Sequence, residues 1–156
     1  MITNIPDIKV PIIKDGISNT ISLKDEFKNK KLILFGVPGA FTPTCSEEHF
    51  PGYIKLYNNF LKKKIDQIYC LSVNDPFVMK SWLISYSQNH KIIGVADGNA
   101  EITKYYNLAA DKRKNFMGYR STRFAMLIDN NDIKFIKIEK PGELKVSRAE
   151  NILLEI

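Results

Sequence analysis

Residues 31–37, Lys31-Leu32-Ile33-Leu34-Phe35-Gly36-Val37, are apolar at nearly every position. A strand with one wet face alternates apolar and polar residues. An unbroken apolar run instead fits a strand buried on both faces, which calls for a covering layer on each side. Helices must provide those layers, and the rest of the chain is patterned to do so.

The run leads into Pro38-Gly39-Ala40-Phe41-Thr42-Pro43-Thr44-Cys45. Thr42 followed by Pro43 predicts an N-cap and a first helical residue, and the helix should continue to about residue 63. Pro51-Gly52 predicts a kink or break inside it. Residues 68–73 read as a second strand. Asp75-Pro76 opens a helix in which Phe77, Met79 or Lys80, Leu83 and Ile84 fall near helical spacing, and Trp82 reads as a core residue. Residues 92–96 are a third strand, and Asp97-Gly98-Asn99 turns into a helix ending near Tyr106. Residues 123–128 and 133–138 form a hairpin across Asp129-Asn130-Asn131-Asp132. Ser147-Arg148-Ala149-Glu150 reads as a capping box before a final helix. Residues 8–14 alternate loosely and reach an Asp15-Gly16 turn. Strand–helix alternation followed by an antiparallel pair predicts an α/β fold, with a mixed central sheet and helices on both faces.

A chain of 156 residues, 44% hydrophobic and 26% charged, suits one domain over residues 1–156. No apolar run approaches the roughly 20 residues a membrane span needs. Residues 1–7 lack a basic stretch followed by an apolar one, so the expected location is the cytoplasm, though the start is compatible with removal of an organelle-targeting segment. The net charge of +6 comes from short lysine and arginine groups that read as a solvated rim. A nucleic-acid surface would need a continuous basic stripe. Two cysteines make no disulfide scaffold, and with His49 and His90 they show no metal spacing. Neither a metal nor a cofactor is expected.

Cys45 would stand in the first helical turn, just beyond the carboxyl end of an inner strand. Open α/β sheets place their sites there, so Cys45 should lie at the surface of a cleft. Unpaired helix N–H groups and the helix dipole favour a thiolate at such a position. Lowering a thiol's pKa from about 8.5 to about 6 raises its ionised fraction at pH 7 about thirtyfold. With a Brønsted slope of about 0.45, nucleophilicity falls about thirteenfold, leaving a net gain of only about twofold. Fast chemistry therefore needs donors aimed at the reacting atoms. Thr42 lies one turn before Cys45, and Arg123 opens a strand with a fixed positive charge. Taken locally, Thr42 reads equally as a plain N-cap and Arg123 as a strand-edge arginine. A lone buried cysteine is usually inert.

Pro38-x-x-x-Thr42-x-x-Cys45 matches the active-site motif of peroxiredoxins. The longer string through Ser46, with His49 and Pro51-Gly52, resembles the type II, peroxiredoxin-5-like subfamily. Residues 70–82, Ala96-Asp97-Gly98-Asn99 and Arg123-Phe124-Ala125-Met126 resemble further blocks of it, in family order. The resemblance implies a thioredoxin-like three-layer sandwich that reduces hydrogen peroxide or alkyl hydroperoxides without a cofactor. It makes Cys45 the peroxidatic residue, oxidised to a sulfenic acid. Thr42 and Arg123 would position the peroxide, and Pro38 would shield the site. The backbone from Gly39 to Cys45 would supply donors, with the Thr44 and Cys45 N–H groups best placed. Phe41, Phe116 and Met117 would form an apolar rim, and His49 would support or pack against the site.

Animal-type members carry a resolving cysteine near the C-terminal helix, where this chain has Leu144-Lys145-Val146-Ser147. Other members carry one at the place of Cys70. The sequence leaves Cys70 two roles, resolving partner or core residue. In the second case glutathione, glutaredoxin or thioredoxin would resolve the sulfenic acid. A homodimer is compatible with the family. The competing readings are a redox sensor or partner-binding thioredoxin-like domain, and a disulfide oxidoreductase. The last would need cysteine where Thr42 stands.

Overall fold

The computed structural model describes residues 2–86 and 89–156. Strands β1 (Lys9–Lys14) and β2 (Ile17–Ser22) form a hairpin, followed by α1 (Leu23–Phe27) and β3 (Lys31–Val37). A wide π-helical turn, Cys45–His49, runs directly into α2 (Phe50–Lys62). Then come β4 (Gln67–Ser72), α3 (Pro76–Ile84), β5 (Ile93–Ala96) and α4 (Glu101–Tyr105). A ribbon of β6 (Ala109–Asp111) and β7 (Tyr119–Ser121) encloses a short 3-10 turn at Arg113–Asn115. β8 (Phe124–Asp129), β9 (Asp132–Ile138) and α5 (Ala149–Leu154) complete the order.

The main sheet runs β2-β1-β5-β4-β3-β8-β9. β3, β4 and β5 are parallel and the outer pairings are antiparallel. The apolar run of β3 explains the layering. Ile33, Phe35 and Val37 join a cluster with Phe50, Tyr53 and Phe60 of α2, Trp82 of α3 and Ile152 of α5. Leu32 and Leu34 face the other way, onto Leu23 and Phe27 of α1 and Ile102 of α4. This is the mixed sheet with helices on both faces that the sequence predicts. The N-terminal hairpin extends it beyond β5, and the β6–β7 ribbon stands outside it.

Three local expectations change. Pro51 does not break its helix. The Phe50 N–H reaches back five residues to the Cys45 carbonyl, and this widened turn immediately precedes the proline. It accommodates a residue that has no N–H and crowds the preceding turn. The capping box does not form either. Arg148 is the N-cap of α5, and Ser147 is buried, bonded to Glu139. In α3, Met79, Trp82 and Leu83 are buried as the spacing predicts, but Phe77 and Ile84 are exposed.

Candidate active site

Antiparallel pairing builds the site. β8 runs opposite to β3, with Phe124 across from Gly36. Arg123, just before β8, is thereby brought beside the loop that follows Val37. The approach is close: a Cβ on Gly36 would stand 2.1 Å from the Phe124 ring. Asn74, beyond the carboxyl end of β4, reaches the same loop from the other side. Its Oδ1 accepts from the Ala40 N–H at 2.9 Å and from the buried Ser72 hydroxyl.

Cys45 is fully buried, 0% exposed, which corrects the expectation of a thiol on a cleft surface. Its spacing sets the helical turn, but the turn faces inward, and Cys45 joins the core cluster that holds Val37, Ala40 and Phe50. Thr42 does not cap the helix with its side chain. Its hydroxyl donates to the Gly39 carbonyl at 2.7 Å, while its own carbonyl accepts from Ser46 N–H at 2.9 Å. With its proton so committed, the Thr42 oxygen faces any ligand as an acceptor. Among the described residues, no backbone oxygen accepts from the Thr44 or Cys45 N–H, so both remain available as donors.

His49 is buried and its Nε2 lies 3.1 Å from the Ser147 carbonyl. A carbonyl only accepts, so Nε2 carries the proton and Nδ1 is bare. Arg123 Nη1 donates to that Nδ1 at 3.3 Å. Burial, reinforced by Arg123, pulls the His49 pKa down to about 3 against the Ser147 hydrogen bond. The imidazole is thus neutral and accepts from the guanidinium through its bare Nδ1.

Cys70 lies in the middle of β4, between β3 and β5, fully buried. Burial pushes its thiol pKa up, and the neighbouring Cys45 adds to the rise. Phe41 is 56% exposed beside the loop, whereas Phe116 is 98% exposed at the ribbon tip and stands out in solvent rather than closing over the site. Met117 does approach, with its Cε 3.5 Å from where a Gly39 Cβ would be.

The sequence reading missed Arg120 and Asn74. Arg120 Nε donates to the Met117 carbonyl at 2.9 Å and its Nη1 to the Pro38 carbonyl at 3.3 Å, so one side chain ties the ribbon to the loop. A cavity of about 460 Å³, lined by Ile13, Tyr57, Leu83 and His90, lies at the amino ends of β4 and β5, away from Cys45. Among the described residues, no cluster of three or more His, Cys, Asp or Glu could hold a metal ion, and no helix is long and apolar enough to cross a membrane.

The redoxin family profile matches residues 3–153. Peroxiredoxin-2D of Arabidopsis thaliana is 48% identical over 134 residues, covering 86% of this chain and 83% of that protein. The chain is a peroxiredoxin. The crystal structure of reduced Prx3 from Vibrio vulnificus in complex with hydrogen peroxide superposes with a TM-score of 0.91 at 39% identity, over 99% of this chain and 95% of that one. Peroxiredoxin 5 from Alvinella pompejana gives a TM-score of 0.83 at 35% identity, over 99% and 96%. The type II, peroxiredoxin-5-like resemblance and the thioredoxin-like fold are therefore borne out. The peroxiredoxin is a thiol-dependent peroxidase, taking a peroxide and a thiol reductant.

Proposed function

We propose that Cys45 is the nucleophile of this peroxidase, acting within the single unit 1–156, and that Thr42, Arg123 and the backbone N–H groups of Thr44 and Cys45 hold the peroxide. The observation that carries this is the polarity around the thiol. One side chain can only accept there, one can only donate, and two N–H groups have no backbone acceptor among the described residues. A hydroperoxide, R–O–O–H, matches that set. Its O–H donates to Thr42 Oγ1, and its oxygens accept from the guanidinium and the N–H groups. The Cys45 thiolate attacks the proximal oxygen, an S–O bond forms and the O–O bond breaks. The leaving oxygen departs with the electron pair toward the donors and is protonated to water or an alcohol. Cys45 is left as the sulfenic acid. Pro38 narrows the entrance. The relative crystallised with hydrogen peroxide supports that small substrate first.

The same burial governs recycling. At 0% exposure, no thiol reductant meets Cys45 unless the helix start yields. Cys70, inside β4, makes a disulfide only if the turn at 45–49 unwinds toward it. A small thiol such as glutathione, or glutaredoxin or thioredoxin, is the proposed reductant. The exposed ring of Phe41 offers such a protein, or a second copy of the chain, an apolar contact. The cytoplasm, which keeps such thiols reduced, is the proposed setting.

Intact mass of the reduced protein after one equivalent of hydrogen peroxide, beside Cys45→Ser, tests the reading. Rapid gain of one oxygen means an external thiol completes the cycle. Loss of two hydrogens within one chain means Cys70 does. No rapid change, or the same change in Cys45→Ser, overturns the assignment.

A further inference from the structure

Four hydrogen-bonding steps form a closed ring that begins and ends at Arg123. The Glu139 N–H donates to the Arg123 carbonyl at 3.0 Å, one step beyond the β8–β9 pairing of Phe124 with Ile138. The Glu139 carboxylate is buried and gathers the turn before α5. Its Oε2 accepts from the Lys145 N–H (2.6 Å), the Ser147 N–H (3.0 Å) and the Ser147 hydroxyl (2.7 Å), and its Oε1 from the Val146 N–H (3.2 Å). The turn so held presents the Ser147 carbonyl to His49 Nε2 (3.1 Å) and to the Tyr53 hydroxyl (2.7 Å). His49 Nδ1 then accepts from Arg123 Nη1 at 3.3 Å.

We propose that Glu139 is a positioning residue for Arg123, acting through the Ser147 carbonyl and the tautomer that this carbonyl imposes on His49. The proposal rests on the peroxidase reading above and extends its machinery to the C-terminal turn. The chemistry requires a carboxylate. Three successive backbone N–H groups and a hydroxyl converge on it, and an ionised carboxylate has acceptor sites for all four. A glutamine would turn an NH2 toward those donors, leaving at least one unpaired in a buried place. The turn would then rotate, and the Ser147 carbonyl would leave His49. Without that acceptor the imidazole is free to carry its proton on Nδ1, where it meets the guanidinium donor to donor. Arg123 would lose the contact that fixes one edge of its fork. Hydrogen bonds from Ser147, Lys145 and Val146 outweigh the burial that would raise the Glu139 pKa and hold it below the ordinary value, so the ring is charged at neutral pH.

The experiment combines a rate with a spectrum. The second-order rate of hydrogen peroxide with the reduced protein is measured by stopped flow for wild type, Glu139→Gln, Arg123→Ala and the double variant. The His49 tautomer is read from imidazole 15N shifts, with only two histidines to assign. Glu139→Gln is expected to slow the reaction about tenfold, equivalent to about 1.4 kcal/mol. It should cause no further loss in the Arg123→Ala background, and the Nε2–H signature of His49 should disappear. Ser147→Ala deletes one of the four donors but keeps the N–H and carbonyl. It should slow the reaction about two- to threefold, and it stands in if Glu139→Gln does not fold. A wild-type rate in these variants, equal slowing with and without Arg123, or an unchanged tautomer overturns the proposal while leaving the peroxidase intact. A wild-type protein that does not react with peroxide overturns the activity itself, and the tautomer then decides separately whether the ring sets His49.

Discussion

Trp82 donates its indole N–H to the Ser46 hydroxyl at 2.9 Å, which places the only tryptophan of the chain one residue from Cys45. Tyr86 grips the same residue, its hydroxyl donating to the Ser46 carbonyl at 2.6 Å, and Phe50 packs against both rings, which also meet each other edge to face. Adding an oxygen to a fully buried sulfur displaces its neighbours, because close-packed interiors have no slack for an extra atom. Trp82 emission should therefore change when reduced protein meets peroxide, at the rate at which Cys45 is consumed. Cys45→Ser should show no change. Equal changes in both proteins would mean that Trp82 reports something other than the thiol.

Arg123→Ala removes a donor that cannot lose its proton and that His49 holds in place. Deleting one aimed donor at a reacting oxygen commonly costs about 10²–10³ in rate. The fold should survive, since the Arg123 carbonyl keeps its bond from Glu139 N–H. Arg123→Lys should recover only part of the loss, because an ammonium keeps the charge but not the planar fork. Stopped-flow rates decide this, and a wild-type rate in Arg123→Ala would mean that the charge plays no part in breaking the O–O bond.

These two contacts also mark where a linear reading stops. The inner position of β3 is legible because six residues in a row, 32–37, carry the signal, and Ile33 and Leu34 do fall on opposite faces. The Thr42–Cys45 spacing gives the turn, because three residues make nearly one turn of helix. Depth is not legible. The same spacing serves an exposed or a buried thiol, and only its place in the packed core makes it the second. Phe77 fits the apolar period of α3 yet is 83% exposed, since period says nothing about where a helix outruns the sheet beneath it. Ser147 carries a good capping signature, but the Glu139 carboxylate takes its hydroxyl and its N–H. Arg120 and Asn74 act through partners far away in the chain, and Glu139 through an irregular turn six to eight residues on, and no local pattern announces them.

His49 makes folding stability depend on pH. Burial above all holds its pKa at about 3 in the folded protein, against an ordinary value of 6.5. Between those values the unfolded chain binds a proton that the folded protein refuses. The stability is fully present above about pH 6.5 and is lost progressively as pH falls toward 3, by about 2 kcal/mol at pH 5. Asp97, whose carboxyl pKa burial raises, works in the opposite direction, so a variant is needed to isolate the effect. Urea midpoints at pH 7.5 and pH 5 should separate more in wild type than in His49→Asn. An equal separation would show that the neutral imidazole is not the source.

Gly39 sits where two side chains leave no room. A Cβ there would lie 2.6 Å from Arg120 Nη1 and 3.0 Å from Thr42 Cγ2. The arginine end is flexible and can swing away, so Gly39→Ala should fold with near-normal stability. Swinging away breaks its bond to the Pro38 carbonyl, and with it the link between the β6–β7 ribbon and the loop. Pressure on the Thr42 methyl meanwhile turns the hydroxyl away from the Gly39 carbonyl, the contact that makes its oxygen an acceptor. Peroxide reduction should fall about tenfold or more, at little cost in melting temperature. Arg120→Ala opens the space but not the Thr42 contact. If the loss comes through Thr42, the double variant should be no faster than Gly39→Ala. If it comes through displacement of the guanidinium, Arg120→Ala alone should be as slow as Gly39→Ala. Wild-type kinetics in all three variants would mean that neither contact shapes the loop for the reaction.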